Sequence, residues 1–166
     1  GHEGKKLLFM GQEFAQEREW SEARELDWYM LQDELNAGML EYVKELLRIY
    51  RKYPCMHEID NDWGGFEWIN ADDAERSTYS FIRKSSDGKN SLLFVLNMTP
   101  VARPDYCVGV PRRKTYKLLL NSDDKRFGGN GAEIPASIRA VPQPSDYRPY
   151  RITFDLPASC AVIFIF

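Results

Sequence analysis

The chain has few residues of the kinds that bind metal ions or form disulfides. Among its 166 residues there are 2 histidines and 3 cysteines. His2 and His57 lie far apart in the sequence and the cysteines show no ligand spacing, so we predict no metal site. Because Cys55, Cys107 and Cys160 are odd in number and scattered, we expect buried free thiols in a reducing cytoplasm. One disulfide with a thiol left over is the alternative.

The sequence also lacks long apolar runs and an excess of charge of one sign. No apolar run approaches the ~20 residues of a membrane-spanning helix, and no basic-then-apolar leader is present, so we expect neither a membrane span nor a signal peptide. The formal net charge is −3, with both signs interspersed. This balance predicts neither nucleic acid nor a membrane surface as a partner.

Motifs for cofactor binding and nucleophilic catalysis are missing as well. The glycine-rich stretch GGNG at 128–131 has no strand-then-helix context and no lysine-serine ending. A mobile turn is therefore favoured over a phosphate-binding loop. We find no Gly-x-Ser-x-Gly elbow and no supported grouping of Ser, His and Asp, and we predict no cofactor.

The apolar run LLFM at residues 7–10 is the first strong structural signal. A short unbroken run that ends at Gly11 is typical of a strand buried on both faces in a parallel sheet. Residues just past such a strand face the ligand in parallel α/β folds, which puts Gln12 and Glu13 at a candidate site. No parallel neighbour precedes the run, so we expect this polypeptide to be the last part of a longer one.

One amphipathic helix is predicted after a long polar segment. From Met39 to Tyr53, apolar residues recur at helical spacing with charged residues between them. Asn36 is the expected N-cap, and Pro54 ends the helix because proline cannot continue the hydrogen-bond ladder. The sequence therefore predicts a helix over 37–53, preceded by a long functional loop or short helical turns.

Beyond Pro54 the periodicity changes from helical to strand-like. Short segments rich in β-branched or aromatic residues alternate with turn-forming sequences. The seven predicted strands cover residues 66–69, 78–82, 92–96, 106–110, 116–120, 152–156 and 161–165. No helical pattern lies between them, so we predict an antiparallel β-sandwich over 55–166, with the proline-dotted stretch 135–149 as a surface excursion.

Several motifs in collinear order resemble bacterial 1,4-α-glucan (glycogen) branching enzymes of the α-amylase superfamily. The similar stretches are KLLFMGQEF at 6–14, REW at 18–20, LDW at 26–28, LRIYR at 47–51, HEID at 57–60, GFEWI at 65–69, NMTP at 97–100 and NSD at 121–123. They span nearly the whole chain, and the REW loop distinguishes these enzymes from ordinary α-amylases. Ala15 is a minor departure, since many bacterial relatives have glycine there.

The resemblance implies a mainly β fold attached to part of a barrel. Residues 1–54 would be the last strand, loop and helix of an incomplete catalytic (β/α)8 barrel, and residues 55–166 the C-terminal antiparallel β-sandwich. The implied reaction is a retaining transfer in cytoplasmic glycogen synthesis: an aspartate nucleophile cleaves an α-1,4 bond, and a glucan 6-hydroxyl then takes the glycosyl group to form an α-1,6 branch. In that family this aspartate, a glutamate acid–base and a third aspartate follow the fourth, fifth and seventh barrel strands. We therefore expect no catalytic residue in this chain.

The same resemblance implies that this chain supplies part of the rim that binds the α-glucan. Glu13, Arg18 and Trp20 lie on the predicted loop, where a carboxylate and a guanidinium would bind sugar hydroxyls and an indole would stack on a pyranose ring. Trp20 and Trp28 have an equally weighted alternative, which is to fill the seam between loop and barrel.

The aromatic residues at the start of the sandwich leave two interpretations open. Trp63, Phe66 and Trp68 are expected to dock against the predicted helix, with a remote glucan site as the alternative. The sandwich would have a structural role with some glucan contact; the alternatives are a carbohydrate-binding module or the C-terminal domain of another α-amylase-superfamily enzyme. Without the missing N-terminal barrel, we expect the residues before 36 to be displaced or to pair with a second copy of the chain.

Overall fold

The structure is a computed structural model that describes residues 1–166. It contains eight β-strands and one α-helix. Helix α1 spans Glu34–Lys52. The strands are β1 Phe66–Asp73, β2 Thr78–Arg83, β3 Leu92–Asn97, β4 Arg103–Val110, β5 Thr115–Asn121, β6 Ser137–Arg139, β7 Tyr150–Leu156 and β8 Cys160–Ile165. Short 3₁₀ helices lie at Gln12–Phe14, Trp28–Gln32, Pro54–Met56, Trp63–Gly65 and Lys125–Phe127. No helix has both the length and the apolar character needed to cross a bilayer.

The strands form two antiparallel sheets, which confirms the predicted mainly β fold. Six strands pair in the order β1-β2-β3-β8-β5-β6, and β4 pairs with β7 in a second sheet. All seven predicted strands are present. The eighth, β6, lies inside the stretch 135–149 that we predicted to be a surface excursion, where it pairs with residues 115–117 of β5.

The six-stranded sheet is covered on both faces. Ile82, Leu93 and Val162 belong to a core shared with the two-stranded sheet. Their chain neighbours Phe81 and Ile163 belong to a second core shared with helix α1. Since alternate residues of a strand point to opposite faces, strands covered on both sides read as unbroken apolar runs.

Helix α1 begins three residues earlier than predicted and has a different cap. The Asp33 carboxylate accepts hydrogen bonds from the backbone N–H groups of Leu35 (2.9 Å) and Asn36 (3.4 Å). Asn36 is therefore not the N-cap but lies in the first turn, where its side-chain amide donates to the Phe14 carbonyl oxygen at 2.7 Å. The end of the helix at Lys52, just before Pro54, agrees with the prediction.

A glycine allows the helix to approach the turn at Lys125–Phe127. A Cβ atom on Gly38 would lie 2.8 Å from the carbonyl carbon of Phe127, closer than real Cβ contacts. Tyr42, one turn further along α1, packs edge-to-face on the Phe127 ring with centroids 5.3 Å apart. This contact joins the start of α1 to the sandwich.

The predicted buried strand at residues 7–10 is wrong for this structure. Leu7 is 82% exposed, and Leu8, Phe9 and Met10 are each about half exposed. These residues belong to no sheet. A strand needs a neighbour to accept and donate its backbone hydrogen bonds, and this chain offers none at that place. Among the large apolar side chains of residues 7–14, Phe14 is the one that is buried.

The three cysteines are free thiols, as predicted. Cys55 and Cys160 are buried, but Cys107 is only half-buried, which corrects the expectation that all three would be inside. Burial raises the pKa of Cys55 to about 11 and that of Cys160 to about 12. Both buried thiols are therefore protonated and unreactive at neutral pH.

Candidate functional site

The structure places Glu13, Arg18 and Trp20 on one irregular segment in front of helix α1. Glu13 lies in the 3₁₀ helix Gln12–Phe14, and its carboxylate accepts a hydrogen bond from the backbone N–H of Gly11 at 3.1 Å. No hydrogen bond or ring contact joins the three predicted residues to one another. Each is held by a different partner.

Arg18 is held by a buried carboxylate that the sequence did not single out. Its Nε donates to Asp27 Oδ2 at 2.7 Å, and its Nη2 donates to Asp27 Oδ1. The Arg18 side chain is 55% exposed, whereas that of Asp27 is 4% exposed. The hydrogen bonds from Arg18 hold the pKa of the Asp27 carboxyl below its usual range. Asp27 is therefore ionised at neutral pH and fixes one edge of the guanidinium.

The two tryptophans of this loop pack on phenylalanines next to it. Trp20 stands edge-to-face on Phe9, with ring centroids 5.6 Å apart, and is 38% exposed. Trp28 lies against Phe14 at 5.0 Å and is 47% exposed. Each indole has one side in contact with protein and another side facing solvent, so seam filling and sugar stacking are both compatible with the geometry.

Gln16 joins the two ends of the loop. Its side-chain oxygen accepts the backbone N–H of Asp27 at 2.8 Å, and its side-chain nitrogen donates to the Arg18 carbonyl oxygen at 2.8 Å. Sequence reasoning missed Gln16 and Asp27. The LDW motif contained Asp27, but its role depends on a contact across nine residues of irregular chain, for which no periodic signal exists.

The aromatic residues at the start of the sandwich divide between the two interpretations. Phe66 is 2% exposed and shares a core with Ile49 of α1, so docking is right for Phe66. Trp63 is 73% exposed, so the prediction that it docks is wrong. Trp68 packs edge-to-face on Phe66 at 5.0 Å, but it is still 38% exposed.

An apolar cleft lies between the N-terminal segment and helix α1. Its volume is about 550 Å³, and 10 of its 14 lining residues are hydrophobic. Leu7 and Leu8 of the N-terminal segment line it together with Leu46 and Leu47 of α1. Part of the predicted apolar stripe of the helix is therefore uncovered, as shown by Leu47, which is 45% exposed.

Each carboxylate of the loop is either held by a protein partner or exposed. A glycosidase mechanism needs two carboxyl groups that face the scissile bond. Glu13 accepts a hydrogen bond from the Gly11 backbone N–H, Asp27 is paired with Arg18, and Glu17 and Glu19 are exposed. An exposed indole, a half-exposed guanidinium and a carboxylate are the groups that recognise sugar rings and hydroxyls.

Comparison with known proteins agrees with the fold. The sequence profile of the family described as "Alpha amylase, C-terminal all-beta domain" matches residues 68–166. The chain belongs to this family. The matched residues of this C-terminal all-β domain contain nearly all of the sandwich, from the third residue of β1 to the end of the chain.

Curated relatives match the chain over its whole length. The sequence is 60% identical over 166 residues to the 1,4-alpha-glucan branching enzyme GlgB of Butyrivibrio fibrisolvens, covering 100% of this chain and 26% of that enzyme. It is 46% identical over 164 residues to the enzyme of the same name from Cereibacter sphaeroides, covering 99% of this chain and 22% of that enzyme. The resemblance to branching enzymes is thereby confirmed. The chain spans about a quarter of the length of these relatives.

Solved structures share the fold of the C-terminal domain at low sequence identity. A trehalulose synthase superposes with a TM-score of 0.52 and 16% identity, over 84% of this chain and 19% of that protein. The debranching enzyme of Nostoc punctiforme superposes with a TM-score of 0.51 and 19% identity, over 78% of this chain and 21% of that protein. At this identity the likeness is one of fold alone.

Proposed function

We propose that this chain is the C-terminal part of a cytoplasmic 1,4-α-glucan branching enzyme. The observation that carries the proposal is the 60% identity to a branching enzyme along the entire chain, including the loop as well as the sandwich. The complete protein cleaves an α-1,4 bond of a glucan, holds the chain as a covalent glycosyl-enzyme and transfers it to a glucan 6-hydroxyl. Free thiols such as the three found here remain reduced in that compartment.

Within this proposal, residues 1–54 complete the catalytic barrel and residues 55–166 form the sandwich that supports it. The exposed apolar run at 7–10 and the apolar cleft beside it support this division. Large apolar side chains left in water cost roughly 1.5–3 kcal/mol each, so a surface of this kind is expected to be covered in the complete protein. The remainder of the barrel, which this chain does not contain, is the cover that we propose.

The rim loop supplies glucan contacts but no catalytic group. Trp20 offers an exposed indole face for a pyranose ring, while Glu13 and the free edge of Arg18 can bind sugar hydroxyls. The sandwich is the structural support of the barrel, because its core is continuous with helix α1 through Ile49 and Tyr53.

Incubation of the complete protein with amylose tests this function. We expect the absorbance of the iodine–amylose complex to fall and shift to shorter wavelength as branches form. Digestion of the product with an α-1,6-debranching enzyme should release short linear chains. Residues 1–166 alone should leave the iodine spectrum unchanged, because the three carboxylates of the family mechanism lie outside them.

Two results would contradict the proposal. If the protein released reducing ends from amylose and formed no α-1,6 linkages, it would be a hydrolase. The chain would then be the C-terminal domain of another α-amylase-superfamily enzyme, which is the alternative. A shift of the iodine spectrum at enzyme-like rates by residues 1–166, in a preparation free of host branching enzyme, would place catalysis in this chain.

A carbohydrate-binding module is the second candidate function, and the exposure of Trp63 (73%) and Trp68 (38%) favours it. We expect the chain to bind maltoheptaose only weakly, with a Kd of about 1 mM or higher, because isolated stacking contacts contribute little without convergent hydrogen bonds. Titration followed by tryptophan fluorescence measures this affinity. Saturation at micromolar concentration, abolished by Trp63→Ala or Trp68→Ala and not by Trp20→Ala, would support the module instead.

A further inference from the structure

Asp27 is a buried charge inside an exposed loop. The residues on either side of it along the loop, from Glu17 to Glu25 and again at Trp28 and Tyr29, are mostly exposed. Its carboxylate is nevertheless 4% exposed and receives two hydrogen bonds from Arg18. Burying a carboxylate is unfavourable unless a charged partner and hydrogen bonds compensate it, so the pair constrains the loop to the conformation that keeps them together.

A second set of bonds closes the same loop. Gln16 accepts from the Asp27 backbone N–H and donates to the Arg18 carbonyl oxygen, both at 2.8 Å. Arg24 donates to the Glu19 carbonyl oxygen at 2.6 Å, which fixes the turn next to Trp20. We name the three residues Gln16, Arg18 and Asp27 the loop clasp.

The ends of the clasped loop are anchored to the rest of the chain. Asn36 of helix α1 donates to the carbonyl oxygens of Phe14 (2.7 Å) and Ala15 (3.3 Å), just before Gln16. Phe14 is fully buried and packs against Trp28, just after Asp27. The segment that carries Trp20 thus leaves and re-enters the fold at fixed points, and the clasp joins those two points.

The geometry also changes the role expected of Arg18. Its Nε and Nη2 point at Asp27, so the side of the guanidinium that binds a carboxylate in bidentate fashion is already occupied. The sequence predicted Arg18 as a sugar contact. In the structure, the Arg18 guanidinium is held by the Asp27 carboxylate of the same chain.

We propose that Asp27 is a positioning residue of the rim loop, which acts through Arg18 to hold the loop and to present Trp20 to the glucan. The inference rests on the proposed function, since it assigns the glucan to this loop. It predicts that Arg18 and Asp27 act as one unit, so that losing either side chain has the same effect as losing both.

A double-mutant cycle in the complete protein tests this unit. We expect Arg18→Ala and Asp27→Ala each to raise the KM for amylose by roughly tenfold, with kcat changed much less, because a remote binding contact is misplaced while the reacting groups are not. The double variant should show the same KM as either single variant. Additive effects of the two substitutions would overturn the proposal, because Arg18 would then contact the glucan independently of Asp27.

Asp73→Ala is the matched control. Asp73 is 9% exposed and forms an ion pair at 2.5 Å with Arg76, which is 49% exposed, so the pair has nearly the same burial as Arg18–Asp27 but lies on the sandwich. We expect its KM to equal that of the unsubstituted protein. An equal rise of KM in Asp73→Ala and Asp27→Ala would overturn a specific role of the clasp.

Hydrogen–deuterium exchange of residues 1–166 separates the clasp from the branching function. Asp27→Ala should speed exchange of the backbone amides from 16 to 27 and leave β2, β3 and β8 unchanged. Unchanged exchange over 16–27 would overturn the clasp. If the unsubstituted complete protein did not branch amylose, the proposed function would fail, while faster exchange would still show that Asp27 holds the loop.

Discussion

Replacement of Arg83 by methionine is expected to lower the free energy of unfolding of this chain by about 3–5 kcal/mol, the cost of breaking a buried ion pair by removing one partner. Arg83 ends β2 and is fully buried. Its guanidinium donates to the carbonyl oxygens of Cys55 (3.2 Å) and Met56 (3.3 Å) and to the Asp60 carboxylate (2.9 Å). Methionine fills a similar volume but leaves these acceptors without a donor.

The same side chain connects the sandwich to the N-terminal segment. Arg83 Nη1 donates to the His2 carbonyl oxygen at 2.9 Å, and Asp60 receives Lys6 Nζ at 3.3 Å. The Asp60 backbone oxygen accepts the N–H of Gly4 at 2.8 Å. The loss of Arg83 should therefore release residues 1–6 as well as loosen the segment 55–60.

Urea denaturation measures the change, as a lower midpoint with an unchanged slope. Lys84→Met is the control, because Lys84 follows Arg83 directly and pairs with Glu67 near the surface, with the two side chains 34% and 30% exposed. That substitution should cost less than about 1 kcal/mol. Equal losses in the two variants would contradict the role assigned to Arg83.

The pH dependence of the free energy of unfolding should follow the ionisation of the Asp60 carboxyl group. Burial raises its pKa, but the hydrogen bonds from Arg83 and Lys6 outweigh burial, so the net pKa lies below the usual value. A depressed folded pKa means that the pair's contribution is complete above the unfolded pKa of about 4 and is lost as the pH falls through the lower folded value. As the pH falls below about 4, the Arg83→Met variant should therefore lose less stability than the unsubstituted chain.

Two similar apolar runs show what the sequence could and could not predict. LLFM at 7–10 and LLFVL at 92–96 carry the same local signal for a buried strand. Leu92 and Leu93 are fully buried because β2 and β8 pair on either side of β3, whereas Leu7 is 82% exposed. The propensity of a run for strand structure is local, but its burial depends on partners that only the rest of the fold supplies.

The sandwich was predictable because its signals repeat. Turn residues separate short apolar segments of similar length, and each segment agrees with the next in predicting an antiparallel sheet. The three-residue strand β6 carries no such signal, since Ser137 and Arg139 are exposed and only Ile138 is apolar and partly buried. Strand pairing along β5 determines its conformation.

The loop was predictable in position but not in its internal contacts. Glu13, Arg18 and Trp20 lie on the irregular segment before helix α1, as predicted, but no hydrogen bond or ring contact joins them to one another. The clasp depends on Asp27, which is nine residues from Arg18 and contacts it through an irregular backbone. Charged residues are abundant in this segment, so nothing in the sequence distinguishes the buried carboxylate from the solvated ones.

The second large effect is expected for Phe81→Ala, which should lower the free energy of unfolding by about 3–5 kcal/mol. Phe81 is 4% exposed and stacks between Phe66 and Phe94, with ring centroids 5.1 Å and 4.8 Å away. These rings belong to the core that contains Ile49 of helix α1. Alanine would leave a cavity where the helix meets the six-stranded sheet.

The location of that cavity predicts which part of the chain loosens first. The core between the two sheets does not contain Phe81, so Phe81→Ala should speed amide exchange in α1 more than in β4 and β7. Phe9→Ala is the control, since Phe9 is 47% exposed and its truncation should leave the urea midpoint nearly unchanged. Equal acceleration in α1 and in β4 would contradict the division into two cores. Faster exchange confined to α1 would instead show that this aromatic stack holds the helix to the six-stranded sheet.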